Sequence, residues 1–178
     1  VVPTPTEFAT VHDSIVIDAS ADRVWNTLLN VPDIRNEELR LSFSHAIGLP
    51  RPRAALMTGS GVGAVRDLYW DEGVQFREII KEWEPSRLLV YDVDVSPARA
   101  ALRRLDTHVV IGDRYFNITE GRYVLVPLPD GRTELQLSTS YRITTRINLY
   151  GRLWADRTLD DFHNVVLALI KQRAERTG

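Results

Sequence analysis

The chain has 178 residues, 44% of them apolar, with 24 acidic and 22 basic side chains and a formal net charge of −2, enough to bury one core without crosslinks. It has no cysteine, which excludes disulfides, thiolate nucleophiles and cysteine-ligated zinc or iron–sulfur sites. The near-balanced charge offers no field to a phosphate backbone, so no nucleic-acid partner is expected.

Lys81 and Lys171 are the two lysines, and the arginine skew reads as compositional bias. No run approaches the roughly 18–20 apolar residues of a membrane span, so the chain reads as a soluble domain, cytoplasmic or membrane-tethered. The opening VVPTPTEF is rich in Pro and Thr and does not begin with Met. Residues 1–10 are expected to form a tether, below a removed signal sequence or an upstream membrane anchor, with a single domain over 11–178.

Residues 13–18 alternate as a strand, and Ser20 is placed to cap a helix in which Ala21, Val24, Trp25, Leu28 and Leu29 share one face and which ends near Pro32. Over 34–61, Leu39, Phe43, Ala46 and Ile47 have helical spacing while ELRLSFS alternates like a strand, and the two readings stay open. LPRPRAALMTGSGVG, residues 49–63, reads as a loop. GSGVG precedes a strand, where a dinucleotide site needs a helix.

Three hairpins follow, and their loops set the register. A loop at Asp71–Gly73 pairs Trp70 with Val74, Leu68 with Phe76, Arg66 with Glu78 and Ala64 with Ile80, leaving Asp67 opposite Arg77 on the reverse face. A two-residue turn at Pro85–Ser86 pairs Ile80 with Tyr91, Glu78 with Val93 and Phe76 with Val95. A loop at Pro129–Gly131 pairs Leu125 with Leu135, Tyr123 with Leu137, Gly121 with Thr139 and Thr119 with Tyr141. Between the second and third, Ser96 and Pro97 open a short helix with Ala98, Ala101, Leu102 and Leu105 on one face. From Leu149 to Arg176 one long amphipathic helix carries a stripe of Ala155, Leu159, Phe162, Val166, Leu169 and Ile170.

This order of strand, short helix, antiparallel hairpins and long terminal helix resembles the START-like helix-grip superfamily. That SRPBCC group includes polyketide cyclases/dehydrases, lipid-transfer proteins and plant pollen allergens. The resemblance is carried by VIDASADRVWNTLLNV, GVGAVRDLYWDEGVQFREIIKEWEPSRLLVYDV, GRYVLVPLPDGRTELQLSTSY and YGRLWADRTLDDFHNVVLALIKQRAE, nearly the whole chain. It implies an α+β helix-grip fold, a curved antiparallel sheet wrapped around the C-terminal helix with a cavity between them. The superfamily hosts binding, transfer and catalysis alike, so fold does not give function.

The registers supply the lining expected for that cavity. Arg66, Leu68, Trp70, Phe76, Glu78, Ile80, Tyr91, Tyr123, Thr139 and Tyr141 face it from the sheet, and Trp154, Asp156, Leu159, Phe162 and His163 from the helix. An inward Arg66–Glu78 pair costs desolvation and points to ligand orientation; a pair at the solvated rim merely matches cross-strand charges. The tyrosines are hydrogen-bond donors to a carbonyl or phenol, or core residues with their hydroxyls at the edge.

His163 follows Asp160 by three residues and Asp156 by seven, a spacing for a divalent metal or for Asp156 orienting His163 as a general base. The opposing reading is a solvated face of charge pairs. One helix supplies no further ligand, so no metal and no cofactor are expected. His12, His45 and His108 are isolated.

Three functions follow. The preferred one is binding of a hydrophobic or amphipathic lipid-, isoprenoid- or polyketide-like small molecule. The second is a cyclase/dehydrase-type enzyme with Glu78, His163 or a tyrosine as acid–base group. The third is an interaction module whose pocket is filled by its own side chains.

Overall fold

The computed structural model describes residues 5–98, 101, 116–144 and 148–176, and its hairpins join into one seven-stranded antiparallel sheet. The strands are β1 (Thr6–Ile17), β2 (Pro52–Thr58), β3 (Val65–Trp70), β4 (Gln75–Glu84), β5 (Leu88–Asp94), β6 (Phe116–Pro127) and β7 (Thr133–Thr144), in spatial order β1-β7-β6-β5-β4-β3-β2. The helices are α1 (Ala21–Leu29), the single turn α2 (Phe43–Ala46) and the 28-residue α3 (Asn148–Glu175).

α3 lies against the inner face of the curved sheet. Its Leu167, Ile170 and Ala174 pack with Val24, Trp25 and Leu28 of α1 and with sheet residues Ile80, Leu89, Leu125, Leu135 and Leu137. Ser20 caps α1 by accepting from the Arg23 N–H, and Trp25 meets Trp83 edge-on at 5.1 Å. Among the described residues no helix is long and apolar enough to cross a membrane.

Most of the pairing follows the hairpin loops. Arg66 faces Glu78, Leu68 faces Phe76 and Asp67 faces Arg77, with Gly73 at φ 73° closing the turn. The second hairpin reaches the expected partners by a different route. Its loop holds three residues, Pro85–Arg87, with Ser86 at φ 59°, so Glu84 pairs with Leu88; a bulge at Lys81 then removes the one-residue offset and restores Ile80 to Tyr91 and Glu78 to Val93. In the third hairpin a bulge at Thr119 sets Ile118, not Thr119, opposite Tyr141, while Gly121 keeps Thr139 and Tyr123 keeps Leu137.

Three expectations are corrected. β1 starts at Thr6 and pairs with β7 from Thr144 onward, so residues 6–10 belong to the sheet rather than to a tether. Residues 52–58, read as loop, form the edge strand β2; Pro52 is its first residue, where a missing N–H leaves the ladder intact. The ambiguous 34–51 stretch resolves into a 3₁₀ turn at Asn36–Glu38 and α2, capped by Ser42. Of the helix expected from Ser96, a 3₁₀ turn at Ser96–Ala98 is seen; Leu102, Leu105 and His108 lie outside the described residues.

Two straps tie that stretch to α3. The Asp161 carboxylate accepts from the backbone N–H groups of Phe43 and Ser44, at 3.0 and 2.9 Å. Arg173 donates to the Glu38 carboxylate and to the carbonyls of Pro32 and Asp33. The Arg173 bonds hold the Glu38 carboxyl down at about 2, outweighing its burial.

Candidate functional site

With α3 on one side, the sheet on the other and the α2 segment across the end, a chamber of about 200 Å³ remains open. A smaller lobe of about 60 Å³ adjoins it and shares Leu68, Trp70, Glu78, Tyr91 and Phe162 with it. Phe76, Thr139 and Leu159 line the larger lobe, and Arg66 and Tyr123 line the smaller. Apolar walls dominate: Val74, Val93 and Ile118 come from the sheet side and Val165 from α3.

Five residues expected in the lining, Ile80, Tyr141, Trp154, Asp156 and His163, lie elsewhere. Trp154 is 39% exposed, on the outer side of α3. Tyr141 is fully buried beyond the chamber, against Ile143, Ala155 and Leu159, and its hydroxyl donates to Asp156 Oδ1 at 2.5 Å. His163 is also fully buried, one layer behind the wall, and reaches the chamber through Thr139. Ile80 belongs to the core cluster.

The Arg66–Glu78 pair sits deep in the fold, not at a solvated rim. The two residues are 3% and 4% exposed, and Arg66 Nε donates to Glu78 Oε2 at 2.6 Å. Arg66 Nη1 donates to the Leu28 carbonyl at the end of α1, also at 2.6 Å, and the guanidinium lies 5.8 and 5.4 Å from the Tyr91 and Tyr123 ring centroids. Burial opposes the charge on Arg66, but Glu78 together with Tyr123 and Tyr91 outweighs it and the net shift is upward, so the guanidinium stays protonated. Burial pushes the Glu78 carboxyl up against the pull of Arg66, and it pushes both phenols up, keeping them neutral donors.

His163 has partners on two strands. Its Nδ1 lies 2.7 Å from Asp13 Oδ2 on β1, and its Nε2 lies 2.7 Å from Thr139 Oγ1 on β7. With Nδ1–H donating to Asp13, Nε2 accepts from the Thr139 hydroxyl. Burial pushes the imidazole below its ordinary value, against the opposing effect of Asp13. Asp160 joins from the next turn of α3; burial and its hydrogen bond to Asp13 raise its carboxyl. Asp156, engaged by Tyr141, does not orient His163, and the expected set on one helix face does not converge.

Three polar atoms of residues lining the chamber, Ser44 Oγ, Trp70 Nε1 and Thr158 Oγ1, are shielded from solvent and have no hydrogen-bond partner among the described residues. The Trp70 ring is held in place by Phe162 at 5.3 Å and edge-on by Phe76 at 5.9 Å. Gly121 forms part of the floor because the Tyr91 ring lies across it: a Cβ there would come within 2.2 Å of the ring carbons.

Asp13, Gly121 and Thr158 were not expected in the site. Asp13 shares the inward phase of β1 with Val11, Ile15 and Ile17, and a carboxylate in that phase is the signal. A glycine inside a strand likewise marks a close approach of another group. Thr158 has no comparable mark in the sequence.

No family model matches the chain, and no curated protein matches it by sequence. Among solved structures it is similar to the Zhui aromatase/cyclase from Streptomyces sp. R1128, at 18% identity over 96% of this chain and 95% of that one, with a TM-score of 0.58. It is similar to part of the di-domain aromatase/cyclase StfQ of the steffimycin biosynthetic pathway, at 16% identity and a TM-score of 0.59 over 94% of this chain and 51% of that one. It is also similar to norcoclaurine synthase from Thalictrum flavum, at 17% identity and a TM-score of 0.52 over 95% of this chain and 98% of that one. These likenesses show the helix-grip fold.

Proposed function

We propose that this helix-grip domain binds one small hydrophobic or amphipathic molecule carrying an acceptor oxygen, held between α3 and the sheet. The observation that carries the reading is the apolar chamber of about 200 Å³ with Trp70 Nε1 and Thr158 Oγ1 buried and unpartnered in its wall. A buried polar atom without a partner costs about 1–3 kcal/mol, so these two, with Ser44 Oγ in the same wall, call for an oxygen brought by the occupant or by ordered water. An indole N–H only donates, which selects a carbonyl, phenol or ether oxygen over an ammonium. The open volume argues against an interaction module with a filled pocket.

The Arg66–Glu78 pair closes the polar end of the smaller lobe, where the guanidinium is already satisfied by Glu78 and Leu28 and acts as a fixed positive wall. Lipid-, isoprenoid- and polyketide-like molecules all combine an apolar body with such an oxygen. In the same fold, norcoclaurine synthase from Thalictrum flavum has been seen with dopamine and hydroxybenzaldehyde, small oxygenated aromatics.

Displacement of anilinonaphthalene sulfonate, followed by fluorescence, tests the reading with β-naphthol and naphthalene as competitors. β-Naphthol is expected to bind about 2- to 10-fold more tightly than naphthalene, the worth of one net hydrogen bond. Failure of both to bind, together with no small molecule extracted from the purified protein, overturns it.

A further inference from the structure

We propose that Thr139 is an activated nucleophile that takes the acyl group from a hydrophobic ester held in the chamber. The inference rests on the binding reading for access to the chamber and goes beyond it in assigning chemistry. Its basis is a continuous hydrogen-bonded chain: Thr139 Oγ1 to His163 Nε2 at 2.7 Å, and His163 Nδ1 to Asp13 Oδ2 at 2.7 Å. Nucleophile, base and orienting carboxylate within hydrogen-bond reach form the arrangement that activates a hydroxyl, whatever fold carries it.

The register builds it. Thr139 on β7 stands between Val11 of β1 and Gly121 of β6, where the Tyr91 ring takes the place of a side chain, while His163 enters from α3 behind it. The imidazole has no solvent exposure and, among the described residues, no hydrogen-bond partner besides Asp13 and Thr139, and Thr139 is the one of the two that lines the chamber. The charged and titratable groups facing His163 are Asp13, Asp160 and His12. Burial keeps the imidazole below its ordinary value, hence unprotonated and able to accept at neutral pH.

In the reaction, Thr139 Oγ1 forms a bond to the ester carbonyl carbon, and the bond from that carbon to the leaving oxygen breaks. The hydroxyl proton passes to His163 Nε2 and then to the departing oxygen. Asp13 holds the imidazolium through Nδ1–H. Water reverses the sequence, releasing the acid and restoring the hydroxyl. Trp70 Nε1 and Thr158 Oγ1, unpartnered on the same chamber as Ser44 Oγ, are among the donors available to the carbonyl oxygen. The chamber volume selects esters of short, uncharged acids.

The test uses p-nitrophenyl butyrate on the full chain. A burst of p-nitrophenolate is expected, with one butyryl group per molecule by intact mass and Thr139 identified by peptide mapping of the wild type. Thr139→Ser keeps the burst and Thr139→Val abolishes it. Asp13, as a positioning residue, is read through rate: Asp13→Asn lowers the burst on the order of 10⁴-fold and flattens its decline toward acid pH. No adduct on the wild type, or an adduct on any other residue, overturns the proposal without depending on the folding of a variant. β-Naphthol binding measured on the same preparation separates the two readings: binding without acylation overturns this inference alone, and loss of both overturns the proposed function with it.

Discussion

Replacing Glu78 by glutamine keeps the shape and one acceptor beside Arg66 but removes the charge. At 2.6 Å the gross attraction between the two groups is about 6 kcal/mol for an effective dielectric of about 20, set against the desolvation of two side chains only 3% and 4% exposed. The variant leaves the guanidinium buried with no counter-charge, its remaining partners being the glutamine oxygen, the Leu28 carbonyl and two tyrosine faces. Breaking a buried pair in this way costs about 3–5 kcal/mol, a large share of the roughly 5–15 kcal/mol that holds a domain together. For a chain of this length that corresponds to a fall in Tm of about 6–20 °C. Urea unfolding followed by tryptophan fluorescence reads the loss directly, with an unchanged denaturant slope showing that the end states are the same. The double variant Arg66→Met/Glu78→Leu should recover most of the stability, since two apolar side chains replace two buried charges. A loss below about 1 kcal/mol for Glu78→Gln would refute the reasoning, because exposed pairs are worth that little.

Three more outcomes follow from the structure. Gly121→Ala drives a methyl group into the Tyr91 ring, which Arg66 and Tyr123 hold in place, so a loss of about 1–3 kcal/mol and an altered near-ultraviolet circular dichroism are expected; an unchanged spectrum counts against the close approach. Glu38, held at about 2 against an ordinary 4.5, contributes stability that is complete above pH 4.5 and lost as pH falls toward 2, at most about 3 kcal/mol; Glu38→Gln should flatten that acid limb in a series of urea titrations, and an unchanged limb removes the assignment. Trp70→Phe deletes the free indole donor, so β-naphthol should lose its preference over naphthalene in the displacement assay; a retained preference places the donor elsewhere.

Hairpin loops made much of this legible in the sequence. Asp71–Gly73 and Pro129–Gly131 fixed which face Arg66, Glu78, Tyr123 and Thr139 occupy, because a two-residue side-chain period carries a turn assignment along both strands. Bulges are where such reasoning slips, since an extra residue leaves no compositional mark: the one at Lys81 happened to cancel a misjudged turn, and the one at Thr119 exchanged a threonine for Ile118. β2 escaped notice because an edge strand beginning at a proline, with half-buried residues on both faces, lacks alternation. His163 was singled out with the wrong carboxylate. Asp13 lies 150 positions away in sequence, and no helical spacing reports a contact made across a sheet. Trp154 shows the limit of apolar pattern alone, as the N-terminal turns of α3 leave Leu149, Tyr150, Leu153 and Trp154 exposed together.

The link from Asp13 to His163 joins the first strand to the last helix, and Lys171 and Glu175 add further ties from that helix to the Val16 carbonyl and the Asp18 N–H. Until the 28 residues of α3 are made, the apolar side of the sheet therefore lacks the cover of that helix. On the proposed binding reading, a guest is enclosed only once α3 has closed over the sheet.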